Sequence, residues 1–215
     1  MNPELAARKP WYVKHIWILA AVVGVLSLTI LRTCGGRKLV PLASLGQVPA
    51  FTLQDQTGAT FDSKFLEGRV WVASFFFTSC KTVCPIIGRA NQQLAKKLGD
   101  LDVHLVSFTV DPEFDTPAAM TIWGAQFDAD PKRWHLLTGP RPAITSVVQG
   151  FASEMGQREN KNGIVDISHS MRLVLVGPNG HILHHFRDEP DQLDLIVDYA
   201  RYLTAEHKES QQVSP

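Results

Sequence analysis

The chain has 215 residues, and its 21 Lys and Arg balance its 21 Asp and Glu to a formal net charge of zero. Balanced charge with no run of basic residues leaves no electrostatic case for nucleic-acid binding, and three cysteines are too few for a disulfide-stapled scaffold. With an N-terminal segment of about 40 residues set aside, the roughly 170 that remain suit one domain with a sizeable core.

Residues 1–15 precede an uncharged apolar run of 16 residues, Ile16 to Leu31, flanked by Lys14-His15 and Arg32. As a helix it spans roughly 24 Å, somewhat short of a ~30 Å hydrocarbon core. Trp11, Tyr12 and Trp17 suit the membrane interface, and Lys14 and Arg32 can snorkel. No small-x-small cleavage site follows, so a retained transmembrane helix over 16–31 is expected in preference to a cleaved signal peptide. Arg32 and Thr33 differ from the small neutral residues that precede a lipid-bearing cysteine, which makes Cys34 a spare juxtamembrane thiol. Basic residues stand on both sides of the run, so charge sets no orientation.

A linker is expected over 32–47, a domain over 48–205 and a polar, unstructured tail over 206–215. Val48 to Leu53 and Ala59 to Phe61 flank Asp55-Gln56-Thr57-Gly58, which predicts a hairpin. Val70 to Phe77 is β-branched and aromatic, the composition of a buried parallel strand. It runs into Thr78-Ser79-Cys80-Lys81-Thr82-Val83-Cys84-Pro85, after which Ile87, Ala90, Leu94 and Leu98 recur at helical spacing.

Pro85 fits the first helical turn, placing the helix start near Thr82 to Cys84. Both sulfurs then face unpaired N–H groups and the positive end of the helix dipole, which favours thiolate. At i, i+4 the Cβ atoms are about 5–6 Å apart, against about 3.5–4.5 Å in a disulfide. A small adjustment closes the bond, and the relaxed spacing suits two thiolates on one soft metal ion. Disulfide chemistry and metal binding are both open to this turn.

Val103 to Val110 predicts a strand. A helix follows from N-cap Thr116 and Pro117 to about Phe127. Trp134 to Leu137 predicts a strand, Ala143 to Ala152 a helix, and Gly156 to Ile167 an irregular polar loop. Met171 to Val176 turns through Gly177-Pro178-Asn179-Gly180 into His181 to Phe186, a hairpin signalled by Asn-Gly. A last helix spans about Asp191 to Leu203. This order predicts an α/β, thioredoxin-like fold, a mixed β-sheet flanked by helices.

Of eight histidines, His181, His184 and His185 share a strand, with His184 on the face opposite the other two, and are expected to be exposed strand residues. His104 and His135 are expected to pack or lie at the surface. His169, in Asp166-Ile167-Ser168-His169-Ser170, ends a loop that enters a strand, where functional side chains are common. It lies 85 positions beyond Cys84, and the spacing does not show that the two meet.

The chain resembles the Sco/SenC family of membrane-tethered, thioredoxin-fold proteins that handle copper in cytochrome c oxidase assembly. The resemblance rests on Phe77-Thr78-Ser79-Cys80 to Cys84-Pro85, Val110-Asp111-Pro112 with Asp115-Thr116-Pro117, Leu137-Thr138-Gly139, and His169-Ser170. It implies that Cys80, Cys84 and His169 bind copper and that Asp111 lies near them, although a plain turn aspartate fits Asp111 equally well. Ser79 departs from the family, where histidine is frequent. Two thiolates and an imidazole suit Cu(I), with Cu(II) accepted alongside an added ligand.

Three functions follow. A copper metallochaperone would take copper from a donor protein and deliver it to the copper-site subunit of cytochrome c oxidase. A thiol–disulfide oxidoreductase would cycle Cys80 and Cys84 to reduce a partner's cysteines. A peroxiredoxin-like peroxidase would need a threonine three positions before its reactive cysteine, where Phe77 stands. The resemblance places the domain in the periplasm or mitochondrial intermembrane space, with the N-terminus on the cytosolic or matrix side.

Overall fold

The computed structural model describes residues 16–18, 20–27, 39–151, 159–161, 164–166 and 172–213. The chain divides into two units, Met1–Leu39 and Val40–Pro215. In the first, residues 16–18 and 20–27 are helical, with Trp17, Val23 and Val25 exposed. Among the described residues, no helix is long and apolar enough to cross a membrane. The anchor expected over 16–31 extends beyond those residues, and Cys34 lies outside them.

The second unit runs β1 (Gly46–Gln47), β2 (Thr52–Asp55), β3 (Thr60–Asp62), β4 (Val70–Phe76), α1 (Cys84–Leu98), β5 (Val103–Thr109), α2 (Pro117–Ala125), β6 (Trp134–Thr138), α3 (Arg141–Gly150), β7 (Glu159–Lys161), β8 (Ile164–Asp166), β9 (Leu173–Val176), β10 (His181–Phe186) and α4 (Pro190–Val213). Eight strands form one sheet in the order β1-β10-β9-β4-β5-β6-β2-β3. β4, β5 and β6 are parallel. The flanking pairs are antiparallel. This is the mixed, helix-flanked, thioredoxin-like sheet expected.

Every residue of β4 and β5 is buried because helices cover both faces. Successive side chains of β4 serve opposite layers. Phe76 stacks on Trp123 of α2 with centroids 4.5 Å apart, and Phe75 meets Phe151, just past α3, at 5.6 Å. α1 shares the Phe76 face, where Asn91 Nδ2 donates to Ser74 Oγ at 3.0 Å. The Ser74 and Ser107 hydroxyls lie 2.7 Å apart, and Trp134 Nε1 donates to Ser107 Oγ at 2.9 Å. This polar ladder crosses three strands beneath α1. A Cβ at Gly88 would stand 2.5 Å from the Phe127 ring, so glycine lets α1 settle onto that ring.

Several expectations change. Residues 159–161 and 164–166 pair as a small antiparallel hairpin where an irregular loop was expected; three residues a side are too few to show a strand period in the sequence. α4 continues to Val213 instead of giving way to an unstructured tail. Its last turns are polar but rich in helix formers, and they extend a helix already nucleated. Of the expected linker, Val40 to Gln47 is pinned to the domain. Leu45 N donates to Ile182 O at 2.8 Å, and the Tyr199 hydroxyl donates to Val40 O at 3.0 Å. This short strap covers the β10 edge, which would otherwise expose unpaired backbone groups.

Candidate functional site

β4 ends at Phe76, and a hydrogen bond from Cys80 N to Phe77 O (3.2 Å) closes a turn with Thr78 and Ser79 at its centre. α1 then starts at Cys84, with Val83 as N-cap and Pro85 in the first turn, as the sequence predicts. Val83 supplies no side-chain cap. The Cys84 amide, one of the orphan donors of a helix start, donates instead to Cys80 Sγ at 3.4 Å. Cys80 Sγ and Thr82 Oγ1 lie 3.7 Å apart.

Both thiols are free. The Cys84 thiol donating to Cys80 is the main influence lowering the Cys80 pKa, to about 4; burial opposes it, and the Cys84 amide and Thr82 assist. Cys84 moves the other way: its proton is held by Cys80, it is wholly buried, and the nearby charge of Asp115 adds to the effect. The turn therefore favours thiolate at Cys80, which keeps 6% exposure, and the protonated thiol at Cys84, which has none.

The other wall of the site comes from the β5–α2 loop. Asp111 is fully buried; its amide donates to Thr109 Oγ1 at 2.9 Å, and its carbonyl accepts from Phe114 N and Asp115 N at 3.0 Å each. By its backbone it is a turn residue. Thr116 caps α2 as expected, its hydroxyl accepting from Ala119 N at 3.2 Å. Asp115 turns inward. Its carboxylate accepts from Thr78 N (3.1 and 3.2 Å to its two oxygens), Thr78 Oγ1 (2.5 Å) and Thr109 Oγ1. Burial pushes the Asp115 carboxyl up, while the Thr109 and Thr78 donors pull the opposite way. Reading the sequence missed Thr78, Thr109 and Asp115 as site residues. Asp115 sits where helix starts commonly carry an acid, and nothing in the spacing shows that it folds back.

His169 lies outside the described residues, as does the rest of 167–171. Among the described residues, no group of three or more His, Cys, Asp or Glu is disposed to hold a metal ion. His104 and His135 are buried packing residues, with His104 Nδ1 3.2 Å from His135 Nε2 against the rings of Phe61 and Phe65. In β10 a bulge between Ile182 and His184 resets the alternation. His184 and His185 still take opposite faces, but His181 no longer shares the face of His185. His181 Nδ1 instead lies 2.9 Å from Ser44 Oγ.

Comparison with known proteins extends these observations. A SCO1 protein homolog of Bacillus subtilis is 30% identical over 173 residues, covering 79% of this chain and 88% of its own length. The structure of BsSco, described as a Sco-family cytochrome c oxidase assembly protein with a disulfide switch, superposes with a TM-score of 0.67. Its identity is 28%, covering 78% of this chain and 98% of that one. Copper-bound ScoI of Bradyrhizobium japonicum shares the fold, with a TM-score of 0.66, 23% identity and coverage of 74% and 99%. The SCO1/SenC family model matches residues 44–204, which takes in β1, the cysteine turn, the Asp111–Thr116 loop and α4 as far as Thr204. Over that whole span, the chain belongs to the SCO1/SenC family.

Proposed function

We propose that this protein is a copper metallochaperone of cytochrome c oxidase assembly. Cys80, Cys84 and His169 hold the ion, with Cu(I) preferred, and release it to the oxidase subunit that carries the copper site. The observation that carries the reading is the cysteine turn: two free thiols share one helix start, one already drawn toward thiolate. Paired soft sulfurs suit copper, and a family member of the same fold has been solved with copper bound.

Binding requires both sulfurs deprotonated, so uptake releases the Cys84 proton, and oxidation of the pair abolishes the site. Cys80, nearer the surface, is where a donor or acceptor thiol reaches the ion first. The apolar run from Ile16 supports a single-pass anchor, with the domain on the periplasmic or intermembrane-space side. Anaerobic Cu(I) titration followed by X-ray absorption tests the ligand set. Two sulfurs and one nitrogen at one copper per chain are expected, with uptake lost in Cys80→Ser and weakened in His169→Ala. Copper uptake unchanged in Cys80→Ser would end the reading.

A second reading has its own support. The same pair can cycle as a dithiol and disulfide toward a partner's cysteines, a disulfide switch having been described in the relative BsSco. A reduction potential too low for exchange with any partner disulfide would dismiss it.

A further inference from the structure

Asp115 belongs to the loop between β5 and α2, yet its carboxylate is fully buried and reaches the turn that carries Cys80. In that turn, closed by Cys80 N to Phe77 O, Thr78 is the first central residue. Its amide has no partner in the β4 ladder, and Asp115 takes it on both oxygens at 3.1 and 3.2 Å, with the Thr78 hydroxyl at 2.5 Å. Thr109, at the end of the neighbouring strand, donates to the same carboxylate.

The carboxylate is itself held from behind. The Asp115 amide donates to Asp111 O at 3.0 Å, and the Asp111 amide donates to Thr109 Oγ1 at 2.9 Å. α2 starts two residues later under its own cap. Asp115 therefore cannot swing away without unwinding this loop. Burying a carboxylate is costly, and charge-assisted bonds are the strong ones that offset it. All of that bonding is directed at the two strand exits beside the thiols.

We propose that Asp115 is a positioning residue for the dithiol. Through Thr78 it sets the direction in which the chain leaves β4, and so where Cys80 Sγ stands over the Cys84 amide. The inference rests on Cys80 and Cys84 being the working groups, and it holds for copper carriage and for thiol exchange alike.

The test uses the full chain in detergent micelles, reduced and metal-free, as wild type, Asp115→Ala, Thr78→Val and Thr78→Ser. Amide hydrogen exchange is followed at Thr78 and Cys80 and compared with amides of β9. In Asp115→Ala, protection at Thr78 should fall about 10- to 100-fold, the range for a lost bond to a charged acceptor, with β9 much less affected. Thr78→Val, which keeps the branched shape and loses only the hydroxyl bond, should show the same localised loss to a smaller degree. Thr78→Ser should behave as wild type.

A second readout is the rate at which oxidised dithiothreitol takes two electrons and two protons from the pair to form the disulfide. It should change in Asp115→Ala and Thr78→Val and not in Thr78→Ser. Unchanged exchange at Thr78, or a loss spread equally over Thr78 and β9, overturns the proposal. Should wild type take up no copper, the copper reading falls, and these metal-free measurements still decide the role of Asp115.

Discussion

Cys80 and Cys84 differ in their surroundings: Cys80 Sγ accepts from the Cys84 amide and lies beside the Thr82 hydroxyl, whereas Cys84 is wholly buried. With its pKa lowered to about 4, Cys80 stays thiolate at pH 5, where an ordinary thiol of pKa about 8.5 is almost wholly protonated. Iodoacetamide should therefore modify Cys80 first, at a rate that is flat from neutral pH to about pH 5 and falls toward pH 4. Cys84→Ala removes the largest lowering influence, so the Cys80 profile should move to higher pH. Peptide mass mapping of the reduced, metal-free protein checks both. Modification of Cys84 first at pH 5 would contradict this assignment of the thiolate.

At the scale of elements, the register of β5 against β6 brings His104 and His135 together under the rings of Phe61 and Phe65. Burial lowers both pKa values, and the neighbouring His104 adds to the effect on His135, which falls from 6.5 to about 4. Asp102 works against the shift at His104, and Asp55 and Asp130 against that at His135. The folded pKa lies below the unfolded one, so the unfolded chain binds more protons between the two values and stability falls as pH drops through that window. For His135 the window runs from 6.5 down to about 4, and full protonation costs roughly 3 kcal/mol. Urea unfolding from pH 7 to 4 should show this acid limb, flattened in His135→Gln; an identical limb in the variant would assign it to other groups. Packing between elements is equally specific at Gly150 of α3, where a Cβ would stand 2.3 Å from the Pro49 ring. A proline ring gives way poorly, so Gly150→Ala should lose about 1–3 kcal/mol in a urea melt despite the gain in helix propensity.

For the molecule as a whole, the strap from Val40 to Gln47 ties the start of the second unit to β10 and α4. A fragment of residues 40–215 should unfold at higher urea than one of residues 48–215, which loses β1 and the bond from Tyr199 to Val40. The difference should be about 1–2 kcal/mol, and equal midpoints would make the strap ornamental. In membrane fractionation the full chain should sediment with the bilayer and the 40–215 fragment should remain in the supernatant. Recovery of the full chain in the supernatant would count against the anchor.

Local rules carried much of this structure. The Phe-rich run wrote β4, the spacing of Ile87, Ala90, Leu94 and Leu98 wrote α1, Pro85 marked its first turn, and Asn179-Gly180 marked the last hairpin. Each depends on neighbours a few residues apart, the range over which side-chain period and backbone preference act. That two cysteines share a helix start was legible for the same reason. Which of them becomes the thiolate was not, because it depends on unequal burial and on which sulfur the Cys84 amide meets. Nor was the inward turn of Asp115, whose partners lie 6 and 37 positions away and come together only when β4 and β5 pair. Sequence by itself identified the family through its motifs, and local patterning encoded the paired thiols and most of the element order, though not the β7–β8 hairpin or the end of α4. Tertiary structure decided the division of labour between the sulfurs and the grip on Thr78, since long-range contacts leave no period in the chain.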